Sequence, residues 1–313
     1  MAKITGPRVT GDSILKAVFA STALSVVVIL IALGYELVLH SMLTLTTFGF
    51  SFITGSTWDT VHSIFGALPY IYGTLLTSAI AILIGLPVSL GVAIFLSEKA
   101  KGMRLLGSSL GTLIELLAAV PSVIYGLWGL FFLAPVMRVY VETPLHAYLS
   151  FVPFFSGAPF GYDFLSAGII LAIMIIPTIS AVSRDILNAV PNSQREAMYS
   201  LGATHWEVTR KAVIPYARSG IFGATILGLG RAVGETMAVV MVIGNTPAIT
   251  ADLFSGGYTL SGLIANQFTE SDTAMWTSAV VEVGLILFGL ALTINFLARV
   301  LIWRMTRGTT YRV

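Results

Sequence analysis

The chain has 313 residues, 56% of them hydrophobic and only 10% charged, with a formal net charge of +2 and a mean hydropathy of +0.89. An average soluble domain is about 25% charged, so a chain this apolar cannot hide its surface in a water-facing fold, and a soluble globular protein is excluded. There is no cysteine, which removes disulfides, thiolate nucleophiles and cysteine-ligated metals.

Residues 1–16 read as a polar tail containing Gly6, Pro7 and Gly11. Beyond it the apolar residues fall into blocks of membrane-spanning length, about 20 residues for a hydrocarbon core of about 30 Å. Six spans are predicted, at 17–39, 71–97, 109–136, 164–184, 219–245 and 278–302. The first block is too long for a signal-peptide core and no A-x-A-like cleavage site follows it, so it is expected to be a retained helix. The loop 40–70 is rich in Thr, Ser and Phe without Lys or Arg, and Trp58 and Tyr70 are expected to anchor it at the interface. Loop 137–163 combines Pro144, Pro153 and Pro159 with several aromatics and is expected to be structured, whereas loop 246–277 carries Asp252, Glu270 and Asp272. The chain thus divides into a tail (1–16), a first helix with its outer loop (17–70), a transmembrane domain (71–304) holding a helical connector at 188–215, and a second tail (305–313).

The basic residues sort by side. If the spans alternate, all but two of the 17 Lys and Arg fall on one face of the membrane; the exceptions are Arg138, outside, and Arg231, within a span. Positive residues mark the cytoplasmic side, so both termini are expected there. Pro87, Pro121 and Pro177 lie in the second, third and fourth spans and are expected to bend them, as ordinary kinks or as hinges of a gate.

Catalytic signatures are missing. The chain contains no HExxH, no G-x-S-x-G and no lysine in a P-loop frame, and His40, His62, His146 and His205 show no metal-ligand spacing. It therefore hydrolyses no nucleotide by itself, and no metal or cofactor is expected on it.

The longest connector on the positive side, 188–215, reads as a short helix, a turn and a second helix. Ser193 is the expected N-cap and Glu196 closes a capping box; Gly202 ends the first helix, and the second runs to Pro215. A plain membrane-surface connector fits this pattern. So does a known motif. Glu196 and Ala197, then Gly202, then Pro215 match the spacing of the EAA motif of ABC importer permease subunits, with Met198, Ala212 and Ile214 as apolar departures from it.

The segment from Gly230 to Val239, G-R-A-x-G-E-T-M-A-V in outline, resembles the phosphate-specific permeases of that family, and Met237-Ala238-Val239 resembles the C-type of the two subunits that pair there. Residues 115–131 resemble the same family's third helix. The resemblance implies an all-α polytopic membrane protein with six transmembrane helices, of the type I, MetI-like permease fold. It implies that Glu196, Ala197 and Gly202 dock a separate ATPase that uses ATP and Mg. It implies further partners: a second permease subunit, an extracytoplasmic phosphate-binding protein, phosphate itself and the lipid bilayer, with no nucleic acid.

Arg231 and Glu235 stand in this resembling segment, four residues apart, which on one helix puts them within reach of each other. With the span beginning near Ser219, Arg231 lies about 18 Å along it at about 1.5 Å per residue, near the midplane. Gly230 and Gly234 form a G-x-x-x-G expected to admit a neighbouring helix. Two readings fit: a self-neutralising ion pair at a helix contact, or a translocation site in which the guanidinium receives a tetrahedral oxyanion and Glu235 aids its release. Glu115, in the cytoplasmic third of the third span, is the weaker pathway candidate, or else a buried partner for polar groups of a neighbouring helix; Glu36 and Glu282 are expected to reach the outer headgroups. Rival readings are an ion-coupled secondary transporter or anion channel acting without an ATPase, and a non-transporting phosphate-status sensor.

Overall fold

The computed structural model describes residues 11–100 and 104–307. The charges at Lys3, Arg8, Lys101 and Arg312, and the tail segments 1–10 and 308–313, lie outside the described residues.

Among the described residues, six helices are long and apolar enough to cross a membrane. Four are α1 (Gly11–Phe48), α2 (Leu68–Lys99, its last turn π-helical), α5 (Phe164–Asn188) and α10 (Ala274–Arg307). The other two differ most from expectation. The predicted third span is broken: α3 (Arg104–Ala118) stops, Ala119 and Val120 leave the helix, and α4 (Ser122–Leu149) starts anew behind Pro121. Pro121 therefore opens a helix, where its missing N–H costs nothing, instead of bending one. The fifth span, α7, runs His205–Gly234 without interruption. Pro215 does not stop it, because a π-helical turn at Thr209–Val213 absorbs the misfit just ahead of the ring. Three shorter helices complete the set used below: α6 (Asn192–Ser200), α8 (Met237–Val240) and α9 (Leu260–Gln267).

The centre of the molecule is the pair α2 and α5. Lipid provides no hydrophobic drive for two apolar helices to associate, so close packing and polar cross-links must do it. Gly85 leaves room for Ile175, and a Cβ at Gly168 would overlap Ile80. Ser89 Oγ donates to the Ile176 carbonyl at 3.3 Å, and Ser180 Oγ to the Ser89 carbonyl at 3.2 Å. Helix α7 lies against α5 the same way: Cβ atoms at Gly220 and Gly228 would meet Ile186 and Ile179 at 2.6 and 2.5 Å. Helix α1 packs on α10 and turns exposed apolar side chains outward along its length, the surface expected of a helix facing lipid.

At the outer end the chain is folded back on itself. After α1 a two-stranded antiparallel hairpin, β1 (Trp58–Asp59) and β2 (Ile64–Phe65), drops Trp58 and Phe65 into an edge-to-face cluster with Phe48, Phe52, Tyr70 and Tyr258. Tyr70 is buried and Trp58 Nε1 donates to Gln267 at 2.8 Å. Tyr70 belongs to the core and Trp58, half-buried, packs against it, since six rings in one place bury more area together than apart. Glu282 also differs from expectation: it is buried in α10 beside Thr44 and Ser278, not extended to headgroups.

Candidate functional site

The site forms where two membrane-embedded helices break. Helix α7 ends at Gly234, and Glu235 is extended, with φ −70° and ψ 132°. Arg231 and Glu235 are therefore not one turn apart on a common face, and no ion pair joins them among the described residues. Each is instead settled by a helix end. Arg231 sits in the last turn of α7, where the carbonyl ends favour a cation. The Glu235 carboxylate accepts from Ala238 N at 3.4 Å at the head of α8, and its backbone carbonyl accepts from Ser261 Oγ at 2.8 Å. Glycine makes the break inexpensive, being among the weakest helix formers.

Arg231 Nη1 donates to Thr178 Oγ1 on α5 at 2.9 Å. Thr178 is 14 residues from Phe164 and 10 from Asn188, or about 21 and 15 Å from the two ends of α5 at about 1.5 Å per residue. The guanidinium thus lies level with the middle of α5. It is half-buried, as is Glu235, and Thr178 is its one hydrogen-bond partner among the described residues, so most of its five donors are uncommitted.

The second break, at 119–121, faces the first. At the end of α3 the Leu117 carbonyl accepts from Val120 N at 3.3 Å and from Tyr125 Oη at 2.9 Å. Tyr125 lies within electrostatic reach of Arg231. A Cβ at Gly126 would meet Met241 Sδ at 2.6 Å and Ala238 Cα at 3.1 Å, so α4 rests directly on α8. Irregular backbone at membrane depth is tolerated only inside protein or along a watery cavity. Nothing lies within 4 Å of a Cβ built at Gly230 or Gly234; the close helix approach expected there is made by Gly220 and Gly228 instead, and the G-x-x-x-G face is left uncovered.

On the connector, Gly202 ends α6 with φ +80°. Gly202 N donates to the Tyr199 carbonyl at 2.9 Å and Ala203 N to the Met198 carbonyl at 3.2 Å, a Schellman closure. The expected capping box at Ser193 and Glu196 is absent: Pro191 precedes α6 without a side-chain cap, and the box forms one helix later, between Thr204 and Glu207. Glu196 and Ala197 are consequently uncommitted and exposed, next to exposed Tyr199, Leu201 and Trp206. Glu115 is also exposed, not buried, and pairs with Arg184 of α5 at 2.8 Å. Gly111 admits that side chain, since a Cβ there would meet Arg184 Nη1 at 2.6 Å.

Sequence reasoning missed Thr178, Tyr125 and a buried carboxylate pair at the outer end. Asp163 Oδ1 caps α5 by accepting from Ser166 N at 2.8 Å, and Glu142 accepts from Gly161 N at 2.8 Å. Both acids are fully buried. Burial, with the Glu142 carboxylate nearby, pushes the Asp163 carboxyl up to about 8. An Asp three residues before Ser166 at the head of an apolar run is a legible N-cap signal; nothing local points to Thr178.

Six apolar helices of spanning length among the described residues make this a multi-pass membrane protein. The chain belongs to the family of binding-protein-dependent transport system inner membrane components, which matches residues 85–307. It is a permease component and not an enzyme. Among curated relatives it is 45% identical to the phosphate transport system permease protein PstC of Mesorhizobium japonicum, over 95% of this chain and 92% of that one. It is 44% identical to the protein of the same name from Pasteurella multocida, over 91% and 89%. Among solved structures, the inward-facing MetNI methionine ABC transporter matches 77% of this chain and 94% of its own with a TM-score of 0.54 at 19% identity, a likeness of fold.

Proposed function

We propose that this chain is the C-type transmembrane subunit of an ATP-driven importer of inorganic phosphate in the cytoplasmic (inner) membrane, with both termini on the cytoplasmic side. The observation that carries the reading is Arg231: a half-buried guanidinium level with the middle of α5, held by one threonine between two helix breaks, beside the uncovered Gly230 and Gly234. A guanidinium offers a tetrahedral oxyanion paired donors in a fixed fork. Glu235, a few residues on, repels the bound anion and keeps the site from becoming a trap. Glu115 acts in this scheme by bracing α3 on α5 through Arg184, not as a ligand.

A second permease subunit would cover the Gly230 and Gly234 face and complete the pathway. An extracytoplasmic binding protein would deliver phosphate. Two ATPase subunits, which would use ATP and Mg, would dock on the exposed surface around Glu196, Ala197 and Gly202, while this chain would bind no cofactor. Membership of a family whose description names a binding-protein-dependent system favours this reading over a transporter or channel working alone.

Arg231→Gln is expected to abolish phosphate uptake with membrane abundance unchanged; normal uptake by that variant would remove the pathway role. A P-loop ATPase is expected to co-purify with the wild-type chain and to be lost on replacing Glu196 by Ala.

A further inference from the structure

Next to the exposed Glu196 stands a residue turned the other way. Arg195 is 8% exposed, and its guanidinium is almost wholly committed. Nη2 donates to Glu98 Oε1 at 2.8 Å and Nε to Glu98 Oε2 at 3.4 Å, a forked pair. Nη1 donates to the Val190 carbonyl at 2.6 Å and Nη2 to the Leu187 carbonyl at 2.9 Å. Asn192 Oδ1 accepts a further bond from Nη1 at 3.4 Å. Glu98 lies in the π-helical last turn of α2, Leu187 lies in the last turn of α5, and Val190 follows two residues past its end. A single side chain on α6 thus grips the cytoplasmic ends of both central helices. Around it Ala93, Leu187, Val190, Val208 and Val213 form an apolar cluster that keeps water out.

We infer that Arg195 and Glu98 are positioning residues that carry movement of the docking helix α6 into the transmembrane pathway. The inference rests on the ATPase-docking reading of Glu196. Leu187 is nine residues from Thr178 along the continuous α5, about 13 Å at about 1.5 Å per residue. A displacement of α6 pulls on Leu187 and Val190, slides or tilts α5, and reaches Thr178, which holds Arg231. Glu98 delivers the same displacement to α2. A flexible or hydrated contact would dissipate it; a buried, five-bonded fork does not. The pair is the mechanical complement of the exposed face: Glu196 meets the partner, and Arg195 passes on what the partner does.

The test uses the complete transporter, reconstituted in liposomes with its ATPase, and reads ATPase co-purification, ATP hydrolysis and phosphate uptake per ATP. Glu98→Gln keeps shape and one acceptor while removing the charge. It is expected to retain the ATPase and its hydrolysis but to lose at least tenfold in uptake per ATP. The double variant Glu98→Met with Arg195→Met guards against a folding defect, because a buried ion pair can often be replaced by apolar residues of similar volume without loss of stability. It is expected to assemble and remain uncoupled. Wild-type uptake per ATP in either assembled variant overturns the inference, and so does failure of both to assemble, the pair then serving only to fold the chain. Failure of the docking reading looks different: there Glu196→Ala retains the ATPase as fully as wild type does.

Discussion

Arg231 and Thr178, 53 residues apart in sequence, meet at 2.9 Å across two spanning helices. That hydrogen bond fixes the guanidinium to α5 at the level where α7 stops. A bond to a charged group contributes about 1.5–3 kcal/mol. Thr178→Val, nearly equal in shape, is expected to reduce phosphate uptake about tenfold or more, with Thr178→Ser restoring most of it. Equal uptake by the Val and Ser variants would show that the threonine does not hold Arg231.

The carboxyl of Asp163 links stability to pH. Its folded-state pKa, pushed up to about 8, stands above the ordinary carboxylate value of about 3.9, so between these values the folded chain holds a proton that the unfolded chain has released. Stability is then greatest below the unfolded value and falls as pH rises through the window to about 8. Asp163→Asn keeps an acceptor for Ser166 N and removes that titration. Thermal melting in detergent is expected to show a flatter pH profile and a higher melting temperature at pH 8 and above. An unchanged profile would mean that Asp163 is not the group responsible.

Glycines on α5 and α7 separate internal packing from assembly. Gly168→Val meets Ile80 on α2 with no room to spare and is expected to destabilise the isolated chain by about 1–3 kcal/mol or more. Gly230→Val meets nothing within 4 Å, so the isolated chain is expected to melt as wild type. The same change is expected to weaken the complex with a second permease subunit, read by size-exclusion of the co-expressed pair. Normal assembly would place the partner elsewhere.

Gly202 makes a backbone demand without a spatial one. Its φ is +80° and open space surrounds a Cβ there. Gly202→Ala is expected to cost about 1–2 kcal/mol from the left-handed conformation alone, and Gly202→Asn less. The measurement is the melting of the chain in detergent. Equal melting of all three would mean that α6 can end another way.

Some of this was legible in the residues themselves. Apolar blocks of spanning length require six helices because the bilayer core has a set thickness, and their number is as expected. The turn at Gly202 was readable because only glycine adopts that conformation without strain. That Arg231 lies within a spanning helix was readable from the apolar run around it, although that helix begins at His205 and not near Ser219.

Helix breaks were not readable in the same way. In a run apolar on every side, periodicity does not identify the face that meets protein, and Gly or Pro within a span signals a break only if something else satisfies the freed backbone. Pro177 and Pro215 lie within continuous helices, while Pro121 and Gly234 mark interruptions. The difference lies in distant partners: Tyr125 accommodates the Leu117 carbonyl and Ser261 that of Glu235. The sequence by itself therefore determined how many helices cross the membrane and which of them carries the half-buried cation, because these depend on length and transfer energy. Where the helices stop, and that Arg231 answers to Thr178 and not to Glu235, was decided by tertiary structure alone, since a backbone group in lipid can be released only where another element is in place to receive it.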